Sequence, residues 1–149
     1  MARRERGPLR LLAQDADDLR VISAALQDAV LKVGDLSFEP RARRFTVALN
    51  RFQWEMSDRR RIRAALQFGG VLEAKSRRVR RDASDAVLSL LAVTFEGSGE
   101  AEDPSGVVTL AFSGDADVRL RVEALDAVLA DVSAPWPARG APRHDLSAG

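Results

Sequence analysis

RFTVALNRFQW, residues 44–54, decides the fold because it alternates. Phe45, Val47 and Leu49 fall on one side and Thr46, Ala48 and Asn50 on the other, the period-two signature of a half-buried strand. The same texture continues in both directions. Upstream, Leu36 and Phe38 form the first arm of a hairpin whose turn is EPRA, residues 39–42, where Pro40 fixes a backbone angle. Downstream, residues 55–61 read as a polar loop, after which Ile62, Ala64, Leu66 and Phe68 alternate again. Gly69-Gly70 then reads as the turn of a hairpin into residues 71–79, with a bulge in a longer bent strand as the alternative.

Residues 87–95, VLSLLAVTF, are almost continuously apolar. The run is short for a helix, and Val93, Thr94 and Phe95 favour a central strand covered on both sides. An acidic loop rich in Gly and Ser follows at residues 96–106. Residues 107–112 and 118–122 flank SGDAD, a hairpin turn.

Two helices bracket these strands. After a short apolar strand at residues 9–13, Asp15 suits an N-cap, with Asp17 and Asp18 in the first turn, where the helix dipole favours negative charge. Leu19, Ile22, Leu26 and Ala29 or Val30 make one stripe, so the helix is expected to end near residues 29–31. Near the other end Leu125, Val128, Leu129 and Val132 lie three, four and seven apart, which predicts a closing helix stopped by Pro135. The expected fold is α+β: about seven antiparallel strands in a PH-like partly open barrel or bent sheet, with one N-terminal and one C-terminal helix. A sheet with both helices on one face is the alternative. Strands do not alternate with helices, which argues against a doubly wound sheet.

At 149 residues, 46% of them hydrophobic and 30% charged, the chain reads as one globular domain over residues 9–134. A charged leader occupies residues 1–8, and a tail rich in Pro, Gly and Ala occupies residues 135–149. Absence of Cys excludes disulfides, thiolate metal sites and cysteine nucleophiles. No apolar run approaches the ~20 residues of a membrane span, and the leader lacks a signal-peptide core, so a cytoplasmic protein is expected. Net charge is only +1, so attraction to nucleic acid would have to come from local clustering.

Reactive constellations are missing. The single histidine, His144, lies in the tail, where a general base is rarely held against a nucleophile. Asp15, Asp17 and Asp18 are accounted for by helix capping, and Asp115 and Asp117 by turn chemistry. No cofactor or metal is expected, and an enzyme drawing on Asn50, Asp58 and His144 is the least supported reading. Basic residues do cluster: Arg59, Arg60, Arg61 and Arg63 precede one strand, and Arg77, Arg78, Arg80 and Arg81 end the next. A Gly69-Gly70 hairpin would bring both groups to one rim, a candidate phosphate or nucleic-acid site. Set against this, Asp58, Glu73, Asp82 and Asp85 balance the charge as on any solvated strand end. Asn50, Phe52 and Trp54 are candidates for holding a protein partner or a second copy. The functional expectation is a non-catalytic binding module, with the anion binder as its alternative.

LQDAVLKVGDL (residues 26–36), RRFTVALNRFQWE (43–55), DAVLSLLAVTFE (85–96) and RHDL (143–146) together resemble a bacterial, mainly alphaproteobacterial, domain-of-unknown-function family, number 2948. The likeness runs from Leu9 to Leu146. It implies a bacterial cytoplasmic protein and carries no activity, cofactor or catalytic residue. A recurrent RHDL ending would imply an ordered tail around His144.

Overall fold

A computed structural model describes residues 8–52, 60–132 and 136–137, the last two by their backbone. The leader up to residue 7, Trp54, Asp58, Arg59, Pro135 and His144 lie outside the described residues. The chain order is β1 (Arg10–Ala13), α1 (Ala16–Ala25), β2 (Val30–Lys32), a 3-10 turn (Val33–Asp35), β3 (Leu36–Glu39), β4 (Arg44–Phe52) and β5 (Arg60–Phe68). There follow β6 (Val71–Arg77), β7 (Val87–Gly97), β8 (Gly106–Phe112), β9 (Ala116–Val122), β10 (Ala127–Asp131) and β11 (Trp136–Pro137). The protein is therefore mostly antiparallel sheet with one α-helix among the described residues. The strands hydrogen-bond in the order β1-β10-β5-β4-β2-β7-β8-β9-β6, with β3 beside β4 and β11 beside β5. The sheet is open, ending in β1 and β6.

Local chemistry accounts for most elements. The Asp15 carboxylate accepts the Asp18 amide at 2.8 Å and caps α1. The helix ends at Ala25, earlier than expected, because Asp28 turns the chain with φ 66° and Val30 enters β2. β3 and β4 pair as the expected hairpin, from Glu39↔Arg44 to Leu36↔Val47. β8 and β9 pair likewise across Ser113–Asp115, where Gly114 takes φ 75°. β7 is a strand, but one side is only partly covered: Leu91 is 51% exposed at the point where the β7–β8 register shifts. Beyond the short β2, α1 packs along β7, and the Ser23 hydroxyl accepts the Val93 amide at 3.0 Å. The helix so covers a strand edge that would otherwise be left open.

Two further expectations are corrected. The predicted closing helix is strand β10, held between β1 and β5 in a five-residue register from Ala127↔Phe68 to Asp131↔Ala64. Leu125, Ala127 and Leu129 alternate at period two as readily as Leu125, Val128 and Val132 repeat at helical spacing, and all three of the former are buried. Two waiting strand edges select the extended form. That helix was the feature pointing to a PH-like barrel, so the sequence pattern no longer carries that assignment. The Gly69-Gly70 hairpin is also absent: β5 pairs with β4 and β10, whereas β6 pairs with β9. The two glycines instead carry the chain round a corner, Gly70 with φ 66°. Glu123–Asp126 turns the same corner alongside, through Gly69 N–H to Asp126 O and Glu123 N–H to Gly70 O, both 2.9 Å. The ribbon β5/β10 thereby becomes the ribbon β6/β9.

Folding over at this corner closes one core. Phe45, Val47, Leu49, Leu66, Phe68 and Leu129 from the first half meet Leu90, Val108, Leu110, Phe112, Leu120 and Val122 from the second. Leu19, Ile22 and Leu26 of α1 seal one end. The fold-over leaves β3 and β6 facing one another without pairing. One end of this seam is tied by the Val71 amide to the Arg43 carbonyl, and the other by the Gly34 amide to the Ser84 carbonyl, each at 2.9 Å.

Candidate functional site

Alternation along β4 puts Phe45, Val47, Leu49 and Arg51 towards the core, and Thr46, Ala48, Asn50 and Phe52 outward. Registers with β5 and β10 turn the outward residues into ordered rows. Thr46, Gln67, Val128 and Leu12 form one; Ala48, Ala65, Ala130 and Arg10 the next. Asn50 with Arg63, then Phe52 with Arg61, continue the face. Arg60 and Arg61, expected in a loop, are thus the first residues of β5. The Arg61 guanidinium lies 4.3 Å from the centre of the Phe52 ring, a cation–π contact. Partial burial pushes the Arg61 pKa down from its ordinary value. Arg63 donates to Asn50 Oδ1 at 3.2 Å and to Asp35 Oδ1 at 3.3 Å. Leu12 and Val132 on this face are 61% and 60% exposed.

The second arginine group lies elsewhere, at the end of β6 and in the loop that follows, joined to different partners. Arg77 donates twice to Asp117 Oδ2, at 3.2 and 2.9 Å, and approaches Asp115 at 3.6 Å. The Asp117 hydrogen bond, reinforced by both carboxylates, raises the Arg77 pKa. Arg78 pairs with Asp115 at 3.8 Å. Arg80 and Arg81 are exposed. The hairpin that would have joined the two groups does not form. Arg60, Arg61 and Arg63 stand at the start of β5, while Arg77, Arg78, Arg80 and Arg81 follow the corner on the other half of the sheet.

Sequence reasoning passed over a buried ion pair. Arg51 and Asp131 have side chains 0% and 1% exposed. The guanidinium grips the carboxylate through two bonds of 2.9 Å, Nε to Oδ1 and Nη2 to Oδ2. Nη1 donates to Phe52 O at 3.0 Å, and Asp131 Oδ2 also accepts the Leu9 amide at 2.8 Å. The pair links β4 to β10 across β5 and fastens Leu9, just before β1. Its signal was present in the sequence: Arg51 continues the core-facing series Phe45, Val47, Leu49, a position where a cation needs a buried partner.

Also unforeseen is a pocket of about 320 Å3 in the β3–β6 seam. Leu36 and Phe38 of β3, Phe45 of β4 and Val118 of β9 supply apolar walls, while Lys75 of β6 and Arg81 of the following loop supply cations. Gly34 lets loop and 3-10 turn close together at its end, since a Cβ there would lie 3.2 Å from both Ser84 Cβ and O. The β3–β4 hairpin, β6 and β9 are distant from one another in sequence, so no local pattern could have announced it. Among the described residues no three His, Cys, Asp or Glu side chains gather to hold a metal ion. No helix among them is long and apolar enough to cross a membrane.

These features define a small open-sheet domain with a partly apolar seam. Residues 9–144 match the family described as protein of unknown function (DUF2948), and the chain belongs to that family. No curated protein and no solved structure shows significant similarity to it.

Proposed function

We propose that this protein is a non-catalytic binding module and that it takes its ligand at the β3–β6 seam. The observation that carries this reading is the pocket itself: a concave space with an apolar wall facing polar groups, at the small end of the ~300–1,000 Å3 range of ligand sites. Nile red, a neutral apolar dye, tests it. The native chain is expected to bind one equivalent with enhanced fluorescence, and Ala74→Trp, which fills the pocket, to lose that binding while keeping its far-UV circular dichroism. No binding, or equal binding by the filled variant, overturns the reading.

Self-association through the outer face of β1, β10, β5 and β4 is a second reading, supported by the exposed Leu12 and Val132 beside the row Ala48, Ala65 and Ala130. A dimer by light scattering that Leu12→Lys with Val132→Lys dissolves would support it; a monomer at high concentration would end it. The phosphate or nucleic-acid reading draws less support. Arg63, Arg77 and Arg78 already face carboxylates, and the two arginine groups stand on different strands. Salt-sensitive binding of DNA or RNA oligonucleotides, weakened by Arg80→Ala with Arg81→Ala, would revive it.

A further inference from the structure

We infer that the seam pocket selects a small amphiphile with an anionic head, its apolar chain lying against Phe38, Phe45 and Val118 and its head at Lys75 and Arg81. The inference rests on the seam being a ligand site, and it names the chemistry of what enters. Two cationic residues, Lys75 and Arg81, stand among the lining, and no carboxylate residue does. Arg81 makes no ion pair or hydrogen bond among the described residues. Lys75 has only Glu73, at 3.8 Å with side chains 74% and 46% exposed, a contact too solvated to hold it. By contrast Arg77 nearby is held by two hydrogen bonds to Asp117, whose side chain is 10% exposed. Both cations beside the seam are therefore available.

The apolar side matches. Phe45 and Val118 are 4% and 3% exposed and belong to the core, while Leu36, Phe38, Ala74 and Val79 pack against it from the seam. A chain entering between the strand edges would meet the core without displacing a backbone hydrogen bond, because β3 and β6 share none. Neutral apolar molecules gain the same wall but leave the cations unused. Cationic amphiphiles would set like charges together. Carboxylate and phosphate heads share the recognising chemistry, acceptor oxygens for charge-assisted hydrogen bonds.

Calorimetric titration of the full chain with octanoate, octyl phosphate, octanol and octylamine tests the inference. The expected result is an anionic member binding about tenfold or more tightly than octanol, the gain of a charge-assisted hydrogen bond, with octylamine weakest. The stronger of octanoate and octyl phosphate identifies the head. Lys75→Gln with Arg81→Gln should bring the anions to parity with octanol while keeping the far-UV circular dichroism of the native chain. If octanol equals both anions while Nile red still binds, the head assignment falls and the seam remains a site. Loss of every ligand, Nile red included, removes both. An anion preference that survives the double substitution also overturns the assignment.

Discussion

Arg51 and Asp131 show how much one buried pair asks of its neighbours. Both ions leave water, and their attraction compensates only because two parallel hydrogen bonds and a backbone carbonyl satisfy the guanidinium. Arg51→Met alone would leave Asp131 charged and buried, and should cost about 3–5 kcal/mol in urea unfolding. The double replacement Arg51→Met with Asp131→Leu should recover most of that loss. Additive losses would mean that the two side chains do not interact. At the surface, the Asp103 carboxylate is held below its ordinary value of 3.8, chiefly by the Ser105 amide at 2.9 Å. A depressed carboxyl contributes stability above its unfolded pKa and loses it as pH falls through the folded value. Asp103→Ala should therefore lower stability slightly near neutrality, and the difference from the native chain should shrink as pH falls below about 4 and vanish in stronger acid.

Glycine positions give sharp tests of the elements. Gly70 turns the ribbon with φ 66°, a conformation that any side chain strains, so Gly70→Ala should cost about 1–2 kcal/mol by thermal unfolding. Gly106 opens β8 opposite Gly97, where an added Cβ would collide with the Glu96 carbonyl and the Phe95 ring. Gly106→Ala should cost about 1–3 kcal/mol, as overpacking does. The hairpins β3–β4 and β8–β9 were legible in the chain because their partners are adjacent and their turns carry Pro40 and Gly114. β6 is legible as a strand, but not its pairing, because its partner β9 lies far along the sequence. Residues 125–132 satisfy two periods at once, and only the neighbouring strands decide between them. For the candidate site, Arg81 was legible as part of a cluster, but the apolar wall behind it exists only after β3, β6 and β9 assemble.

Across the whole molecule, the bent ribbon explains both the shared core and the seam. Carrying β5 into β6 while β9 carries into β10 folds one half of the sheet onto the other, and α1 covers the edge beyond β2. On the remaining side the edges of β3 and β6 stay apart around the pocket. A C-terminal helix in place of β10 would remove the ribbon's second strand and redraw the seam with it. Nuclear Overhauser spectroscopy on the native chain tests this arrangement most directly. Cross-strand contacts between Leu129 and both Leu66 and Leu11, with extended Cα shifts through Ala127–Asp131, are the predicted result. Sequential helical contacts from Leu125 to Val128, with helical Cα shifts over the same residues, would contradict it.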